Sequence, residues 1–322
     1  MRHVDSLPEL PPRPHDFQSL PRRQVKVQLP GRATPIQLSY VETGLGPPLL
    51  LVHGLMTSAY SFRYIASSLG AHYRVIALDL PGAGQSEAPE GLSQRPEELA
   101  QLLAAFIDAL QLDRPYIAGN SMGGYIALWT ALLYPDRVGR LMIMHAPGIP
   151  EPRLAVLHAV LALPGARALF RLYTSDHEQF ALDNVHYRDE SIKSREEVRE
   201  YARWTAEPAR RELFFRHLFQ TMAPGAMKGL PARIAEARKS AALPPIRLLW
   251  SRWDPLVPPQ FGPRYQAMLP EAELVWLDHA SHFLHVDAPE ATVRELLRFG
   301  ADTEAAAAAT AGPPVTSSPK IV

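Results

Sequence analysis

The sequence predicts an α/β protein with a doubly wound, mostly parallel sheet of eight strands and an inserted helical cap. Three observations carry this prediction. Apolar strand-like runs alternate with amphipathic helical runs on either side of residues 151–242, which is typical of a sheet covered by helices on both faces. Within residues 151–242 only helical patterns are found. The turn at residues 119–123, Gly-Asn-Ser-Met-Gly, follows a short apolar strand and precedes a helix.

Six strands are predicted before the cap. Apolar residues alternate with polar ones at residues 25–29 and again at residues 36–40, and Pro30-Gly31 lies between them, which predicts an antiparallel hairpin. Continuous apolar runs predict strands that are buried on both faces; they lie at residues 48–53, 73–80 and 138–144 and in the run that starts at Tyr116. Helices are predicted at residues 58–69, at residues 95–111 and from Tyr125 onward.

The remaining elements complete the domain organisation. Amphipathic stretches predict cap helices at residues 153–163, 166–173, 195–206, 210–222 and 231–241. The sheet resumes with strands at residues 246–250 and 273–277, and helices are expected at residues 261–268 and 288–299. The sequence therefore predicts a flexible N-terminal arm (1–23), a core (24–150 and 243–300), a cap (151–242) and a disordered, alanine-rich tail (301–322).

Composition excludes several classes of function. The 322 residues contain no cysteine, which excludes disulfides, thiolate metal sites and a cysteine nucleophile. Lys+Arg and Asp+Glu are balanced at 33 each, so nothing favours nucleic acid or an anionic membrane as a partner. The proline-rich first 20 residues lack the apolar run of a signal peptide, and no stretch approaches about 18 uninterrupted apolar residues. We expect a cytoplasmic monomer or homodimer without integral membrane contact.

Ser121 is the candidate nucleophile. A Gly-x-Ser-x-Gly turn between a strand and a helix lifts the serine side chain clear of the backbone. The strained turn needs very small neighbours, which Gly119 and Gly123 provide, and Gly124 lets the helix pack close to the sheet. The N-terminus of the helix favours negative charge that develops at the serine.

A serine hydroxyl needs a base, and the base needs a carboxylate that orients it. The segment after the last strand offers three histidines: His279, His282 and His285. Asp254 follows the buried strand at residues 246–250 and is the candidate carboxylate, with Asp278 and Asp287 as rivals that lie too close to the histidines in sequence. The chain order is therefore serine, aspartate, histidine.

Over about residues 24–300 the chain resembles the α/β-hydrolase fold superfamily. The matching motifs are His53-Gly54, the turn at residues 79–86, the serine elbow, the segment at residues 254–258 and Ser281-His282, where the family usually has glycine before histidine. The resemblance implies that His282 is the base that Asp254 orients, with His279 and His285 as alternatives. It also implies an oxyanion hole made by the backbone N–H groups of Leu55 and Met122, and structural roles for His53, Asp79 and Ser86.

The function expected from this resemblance is hydrolysis of carboxylic esters through an acyl-enzyme on Ser121. The apolar cap favours small-molecule substrates with apolar acyl or aryl groups. One alternative is a carbon–carbon hydrolase that cleaves ring-fission products of aromatic degradation, vinylogous diketones. The elbow motif resembles these enzymes too, but they usually have a glycine-rich oxyanion loop, and tryptophan where this chain has Phe283.

Three further classes are less compatible with the sequence. Dehalogenases and epoxide hydrolases of this fold use an aspartate at the elbow, where this chain has Ser121. A non-catalytic ligand receptor on the same scaffold would not need the complete Ser-His-Asp set. The clustered histidines lack carboxylates at ligand spacing, so we expect no metal and no organic cofactor.

Overall fold

The computed structural model describes residues 3–221, 223–240 and 242–311. Their eight strands form one sheet with the spatial order β1-β2-β4-β3-β5-β6-β7-β8. The strands are β1 (Arg22–Val27), β2 (Ile36–Thr43), β3 (Pro48–Val52), β4 (Arg74–Leu78), β5 (Tyr116–Asn120), β6 (Arg140–Met144), β7 (Ile246–Trp250) and β8 (Glu273–Trp276). Strand β2 runs antiparallel to both β1 and β4, and every other pairing is parallel. The predicted eight-stranded, mostly parallel sheet is confirmed.

Helices cover both faces of this sheet. In chain order the α-helices of the described residues are α1 (Ala66–Gly70), α2 (Pro96–Ala109), α3 (Met122–Leu133), α4 (Pro152–Leu161), α5 (Ala166–Tyr173), α6 (His177–Asn184), α7 (Arg195–Ala206), α8 (Pro208–Gln220), α9 (Pro224–Lys239), α10 (Phe261–Met268), α11 (Leu284–Asp287) and α12 (Pro289–Ala311). Short 3₁₀ turns, such as Ala59–Phe62 before α1, occupy part of the predicted helix at residues 58–69.

Strand β3 explains why the central strands are continuous apolar runs. Its successive side chains point to opposite faces of the sheet. Leu50 and Val52 pack in one core with side chains of α2, α3 and α10, whereas Leu49 and Leu51 pack in the other core with side chains of α1 and α12. All four side chains are fully buried. The sheet is therefore doubly wound, as predicted.

The cap consists of helices α4 to α9 between β6 and β7. The sequence pattern indicated five stretches and did not predict α6, which has only eight residues. Asp176 caps this helix by accepting a hydrogen bond from the N–H of Gln179 (3.0 Å), and Phe180 is buried against the rest of the cap. Helix α9 begins seven residues before the predicted start at Pro231, because that proline lies inside the helix and does not open it.

The N-terminal arm differs from the prediction of a flexible segment. Leu7 and Phe17 are buried, and β1 begins at Arg22. The carbonyl of Pro8 accepts a hydrogen bond from the N–H of Arg195 (2.9 Å), at the start of α7. The first N–H groups of a helix have no partner within the helix. The arm therefore packs on the protein and supplies an acceptor that α7 lacks.

The C-terminal helix is also longer than predicted. Helix α12 continues to Ala311, so residues 301–311 of the predicted disordered tail are helical. Alanine has the highest intrinsic helix propensity, and the alanine run therefore extends the helix. Residues 312–322 of the predicted tail lie outside the described residues.

Candidate active site

Ser121 lies at the turn between β5 and α3 in a strained backbone conformation. Its φ of 55° and ψ of −123° are rare for a residue with a side chain. The neighbouring glycines are required by space: a Cβ at Gly123 would lie 2.0 Å from the carbonyl oxygen of Val52, and a Cβ at Gly119 would lie 2.5 Å from the backbone of Gly123. The predicted strand-turn-helix elbow is therefore present in the fold, with Ser121 at its apex.

The start of α3 gives this turn an electrostatic bias. Ser121 is the N-cap residue and Met122 the first residue of the helix, so the N–H of Met122 has no acceptor within the helix. The N–H of Ser121 is already used, since it donates to the carbonyl of Met144 (2.7 Å). Free N–H groups and the helix dipole both favour an anion at this point.

Asp254 and His282 form a hydrogen-bonded pair at the same edge of the sheet. Nδ1 of His282 lies 2.6 Å from Oδ2 of Asp254, and both side chains are almost fully buried. The other carboxylate oxygen, Oδ1, accepts hydrogen bonds from the N–H groups of Leu256 (2.7 Å) and Val257 (2.8 Å). The loops after β7 and β8 thus meet beside the elbow, and His282 and Ser121 line one cavity.

A second histidine, His145, contacts the same carboxylate and was not identified from the sequence. Its Nδ1 lies 2.7 Å from Oδ2 of Asp254, an ion-pair distance without the alignment of a linear hydrogen bond. Its Nε2 accepts a hydrogen bond from the N–H of Ser251 (3.0 Å), so the neutral ring carries its proton on Nδ1. A signal was present, because His145 directly follows the buried strand β6 at the edge where the site forms.

Burial and the two histidine rings together determine the charge states of Asp254 and His145. Burial acts to raise the pKa of Asp254, but the imidazoles of His282 and His145 outweigh it and hold that pKa well below its usual value. Burial lowers the pKa of His145 and outweighs the opposite effect of the Asp254 charge. Asp254 is therefore an anion, and His145 is a neutral ring whose Nδ1–H faces the carboxylate.

The backbone of the histidine loop is fixed on both sides of His282. The side-chain amide of Asn120 donates to the carbonyl of His282 (2.9 Å), and the Ser251 hydroxyl donates to the carbonyl of Ser281 (3.1 Å). Ser281, which stands where the resemblance predicts glycine, donates from its N–H (2.8 Å) and its hydroxyl (2.6 Å) to Asp287. The serine thus ties this loop to the last residue of α11.

Among the described residues, the rivals make no hydrogen bond or ion pair with the side chains of Asp254 and His282. His279 and Asp278 are exposed. His285 is fully buried, with its ring 4.8 Å from that of Phe62. Asp287 accepts its hydrogen bonds from Ser281 and from the backbone of Arg188 (2.8 Å). Of the candidates weighed from the sequence, the structure brings Asp254 and His282 together.

The loop after β3 lies against the elbow. A Cβ at Gly54 would lie 3.0 Å from the Cβ of Ser121, and Leu55 lines the cavity beside the serine. Nδ1 of His53 donates to the carbonyl of Gly54 (2.7 Å), and Nε2 accepts from the N–H of Leu80 (3.0 Å). Both ring nitrogens of His53 are therefore occupied in shaping this loop.

Asp79 and Ser86 hold the turn after β4. The carboxylate of Asp79 binds Arg22 (2.5 Å) and accepts from the N–H groups of Ala59 (2.8 Å) and Gln85 (3.1 Å). The Ser86 hydroxyl donates to the carbonyl of Asp79 (2.6 Å). Because these contacts all lie within the protein framework, both side chains stabilise the turn.

A cavity of about 640 Å³ opens above Ser121 between the sheet and the cap. Its walls are mostly aliphatic and aromatic, and they include Leu55, Leu154, Leu157, Val160, Leu161, Leu169, Phe170, Phe180, Phe214, Leu218, Leu256, Val257, Phe261 and Phe283. Among the described residues that line it, Glu151 and Arg153 are the only carboxylate and the only arginine or lysine. The cavity suits a largely apolar ligand whose reactive group reaches the serine.

His145, Asp254 and His282 are also close enough together to be considered as metal ligands, since one ligand atom from each lies within 4.8 Å of the others. The nitrogen of His145 that faces the carboxylate carries a proton, because Nε2 of the same ring accepts from Ser251. A protonated nitrogen has no lone pair for a metal. The two imidazoles therefore face Asp254 through N–H groups, an arrangement that does not suit a metal ion.

The chain is similar to known hydrolases over most of its length. A family model described as the alpha/beta hydrolase fold matches residues 47–289. The chain is 29% identical to haloalkane dehalogenase 2 of Mycobacterium tuberculosis over 278 residues, covering 82% of this chain and 92% of that protein. It is 30% identical to a 2-hydroxy-6-oxononadienedioate/2-hydroxy-6-oxononatrienedioate hydrolase of Burkholderia vietnamiensis over 274 residues, covering 83% and 91% respectively.

A solved structure supports the fold assignment. The fold is similar to that of a thermophilic esterase from Thermogutta terrifontis, with a TM-score of 0.69, 22% identity and coverage of 88% of this chain and 99% of that one. These relatives act on different bonds, and what they share with this chain is the scaffold that carries the site. The chain belongs to the alpha/beta hydrolase fold family of hydrolases.

Proposed function

We propose that this protein is a serine hydrolase that cleaves carboxylic esters with apolar acyl or aryl groups. The observation that carries the proposal is the Asp254–His282 pair, joined at 2.6 Å and lining one apolar cavity with the elbow serine, Ser121. Nucleophile, base and orienting carboxylate come from three separate loops at one edge of the sheet. This is the arrangement that acyl transfer through serine requires.

The proposed reaction proceeds in two halves. Ser121 attacks the ester carbonyl while His282 takes the hydroxyl proton, and His282 then donates that proton to the departing alcohol. Water attacks the resulting acyl-enzyme by the same route and releases the acid. Asp254, an anion held by backbone N–H groups, keeps the ring of His282 in the required tautomer and stabilises its cation.

The negative charge that develops on the carbonyl oxygen needs donors that are already in place. In our proposal these are the backbone N–H groups of Met122, at the start of α3, and Leu55, on the loop that lies against the elbow. Removal of a single oxyanion donor in such sites typically lowers kcat by about 10²–10³. Because both donors belong to the backbone, side-chain substitution does not remove them.

The cavity supports apolar substrates. Cap helices α4 and α5 supply leucines and a phenylalanine to its wall, and the described lining offers one arginine, Arg153, which is exposed. A buried carboxylate on a substrate would need a paired cation or several donors. We therefore assign the long apolar wall to an acyl or aryl group of the ester.

Carbon–carbon bond hydrolysis is the second candidate, favoured by the 30% identity to a 2-hydroxy-6-oxononadienedioate hydrolase. A substrate named as a dioate carries two carboxylates. The described cavity wall offers few cations to bind them, which weighs against this class of substrate.

Dehalogenation, suggested by the name of the 29% identical relative, is less compatible with the nucleophile. Displacement of a halide by Ser121 would leave an alkyl ether on the enzyme. An ether has no carbonyl for water to attack, so the enzyme would not be regenerated.

The test is hydrolysis of p-nitrophenyl esters from acetyl to palmitoyl, with Ser121→Ala as the control. We expect steady, serine-dependent turnover and an optimum at an acyl chain longer than acetyl, because the cavity wall is long and apolar. Absence of turnover across the series by folded protein would overturn the proposal and favour a vinylogous diketone substrate. A single burst of acylation without turnover would favour a ligand receptor.

A further inference from the structure

Helices α4 and α5 and the segment between them carry exposed apolar side chains. We call them the apolar ridge; its members are Val156, Leu157, Val160, Leu163, Leu169, Leu172 and Tyr173, and each is between 39% and 71% exposed. Isolated exposed apolar residues are common, but a contiguous group marks a surface that binds a partner. The ridge is therefore suited to bind an apolar or amphipathic partner.

The charged side chains within α4 and α5 have one sign, and α8 adds a carboxylate, Glu212, beside them. Residues 152–175 contain no aspartate or glutamate and include Arg153, Arg167 and Arg171. Arg167 pairs with Glu212 of α8 and lies over the ring of Phe215, and it shares a shallow pocket beside the ridge with Arg171 and Arg211. An apolar surface bordered by arginines is complementary to a lipid surface that carries anionic headgroups.

The ridge is continuous with the active-site cavity. Five of its members, Leu157, Val160, Leu163, Leu169 and Tyr173, also line the cavity above Ser121. If the ridge contacts a lipid surface, an apolar molecule can leave that surface and move along apolar side chains to Ser121. The position of the ridge thus connects what lies outside the cap to the reaction site.

The lengths of these helices favour lying on a membrane over crossing one. Helix α4 has 10 residues and α5 has 8, and the two are bent by 103°. A membrane-spanning helix needs about 20 apolar residues, and within the described residues no single helix is long and apolar enough to cross. Short helices with exposed apolar side chains and nearby arginines are suited to the interface between headgroups and acyl chains.

We propose that the apolar ridge docks on a phospholipid surface that carries anionic headgroups, and that the cavity takes its ester from that surface. Docking depends on the ridge and its arginines alone. The second half of the proposal rests on the proposed ester hydrolysis. A second copy of this chain is the other occupant that such a ridge could accept, and the experiment distinguishes the two.

The experiment is flotation of the full chain with vesicles of phosphatidylcholine containing a minor fraction of phosphatidylglycerol. It is carried out in the Ser121→Ala background, so that binding is measured without turnover. The test variant is Val156→Ser with Leu172→Ser, two exposed ridge residues that lie outside the described cavity wall. The matched control is Leu45→Ser, an equally apolar residue that is 88% exposed before β3, at the opposite edge of the sheet.

We expect the parent protein and the Leu45→Ser control to float with the vesicles and the double variant to bind about tenfold more weakly. Added salt and removal of phosphatidylglycerol should each weaken binding, because arginines contribute to it. Absence of flotation by the parent overturns the proposal. So does a dimer, measured by sedimentation, that the double variant dissociates, since the ridge would then be an interface between two copies.

With the wild-type serine, the double variant should hydrolyse a dissolved short-chain p-nitrophenyl ester at the parental rate and a vesicle-borne ester about tenfold more slowly. Equal slowing on both esters would contradict delivery from the surface. Loss of all ester hydrolysis by the parent, with flotation unchanged, would refute the ester reaction and leave docking intact.

Discussion

Asp254 is the side chain on which the geometry of the site depends. Two backbone N–H groups bind one of its oxygens, and the rings of His282 and His145 approach the other. A carboxylate held at both oxygens cannot rotate to follow a moving partner. The position of His282 above the cavity is therefore determined by the loop at residues 254–257 as much as by its own backbone.

The assignment of the base is tested by a pair of histidine substitutions. His282→Ala should lower kcat by about 10⁴ or more, since it removes the group that activates Ser121. His279→Ala should leave kcat within about twofold, because His279 is exposed and makes no contact with Asp254 among the described residues. Ester kinetics on folded variants, checked by circular dichroism, give the answer. An active His282→Ala enzyme with an inactive His279→Ala enzyme would reverse the assignment.

His145 is expected to act as a positioning residue through Asp254. His145→Leu removes an N–H group that faces the carboxylate of Asp254. More of the negative charge then acts on His282, which therefore holds its proton more tightly. We expect kcat to fall about tenfold at unchanged KM, and the acid limb of the kcat/KM profile to move to higher pH by up to about one unit.

The pH–rate profile separates this role from a structural one, which would lower the rate equally at every pH. His145→Gln keeps an amide donor and should recover part of the rate. An unshifted acid limb in His145→Leu would contradict the positioning role.

Buried polar contacts attach helices α7 and α8 of the cap to the sheet domain. Arg63, before α1, forms a buried ion pair with Glu197 of α7. The indole N–H of Trp204 in α7 donates to the carbonyl of Thr57 in the loop after β3 (2.7 Å). Arg210 of α8 donates to the carbonyl of Gly84 (3.0 Å). Helices α7 and α8 are thus anchored to loops of the sheet domain, whereas α4 and α5 line the cavity.

Glu197→Ala should destabilise the protein strongly. Arg63 is fully buried, and its partner's removal leaves a charge in the interior without compensation, which typically lowers the free energy of unfolding by about 3–5 kcal/mol. Urea unfolding checks this value. Glu236→Ala is the control, because that carboxylate is 78% exposed and its pair with Lys239 should contribute under about 1 kcal/mol.

A double variant tests the cause of the loss. Replacing both members of the pair with apolar residues, Arg63→Met with Glu197→Leu, should restore much of the stability, because no charge is left buried. Equal losses for Glu197→Ala and the Glu236→Ala control would mean that the buried pair does not anchor the cap.

Acid should destabilise the whole fold through its buried histidines. Burial is the main cause that lowers the pKa values of His53, His145 and His285, and it lowers that of His217 to about 3. A histidine whose pKa is lower in the folded state than in the unfolded state takes up a proton on unfolding at intermediate pH. Stability therefore falls as the pH drops below about 6.5, by about 1.4 kcal/mol per pH unit for each such histidine.

The measurement is urea unfolding at several pH values between about 5 and 8, the range in which histidine titrates. The midpoint should be nearly constant above about pH 7 and should fall steeply below about pH 6. A constant midpoint over the whole range would contradict the assignment of these histidines as buried and neutral.

The positions of the strands, the Ser121 elbow and the position of the cap follow from the chain because each depends on local patterns. Continuous apolar runs predict buried strands, and a Gly-x-Ser-x-Gly turn is specified by the space available to its own residues. Asp254 and a histidine after the last strand could be proposed because each follows a parallel strand, and the carboxyl ends of such strands meet at one edge. The choice of His282 over His279 and His285 rested on the resemblance to the α/β-hydrolase fold superfamily.

Other features depend on contacts between residues far apart in the chain, which no local pattern reveals. His145 and Asp254 are 109 positions apart in sequence, and the packing of β6 beside β7 brings them together. The N-terminal arm is held in place where the carbonyl of Pro8 accepts a hydrogen bond from the start of α7. Helix α6 is held in place by the burial of Phe180 within the cap. Short segments of this kind gain too little from their own hydrogen bonds to form alone, so their structure is determined by the surface against which they pack.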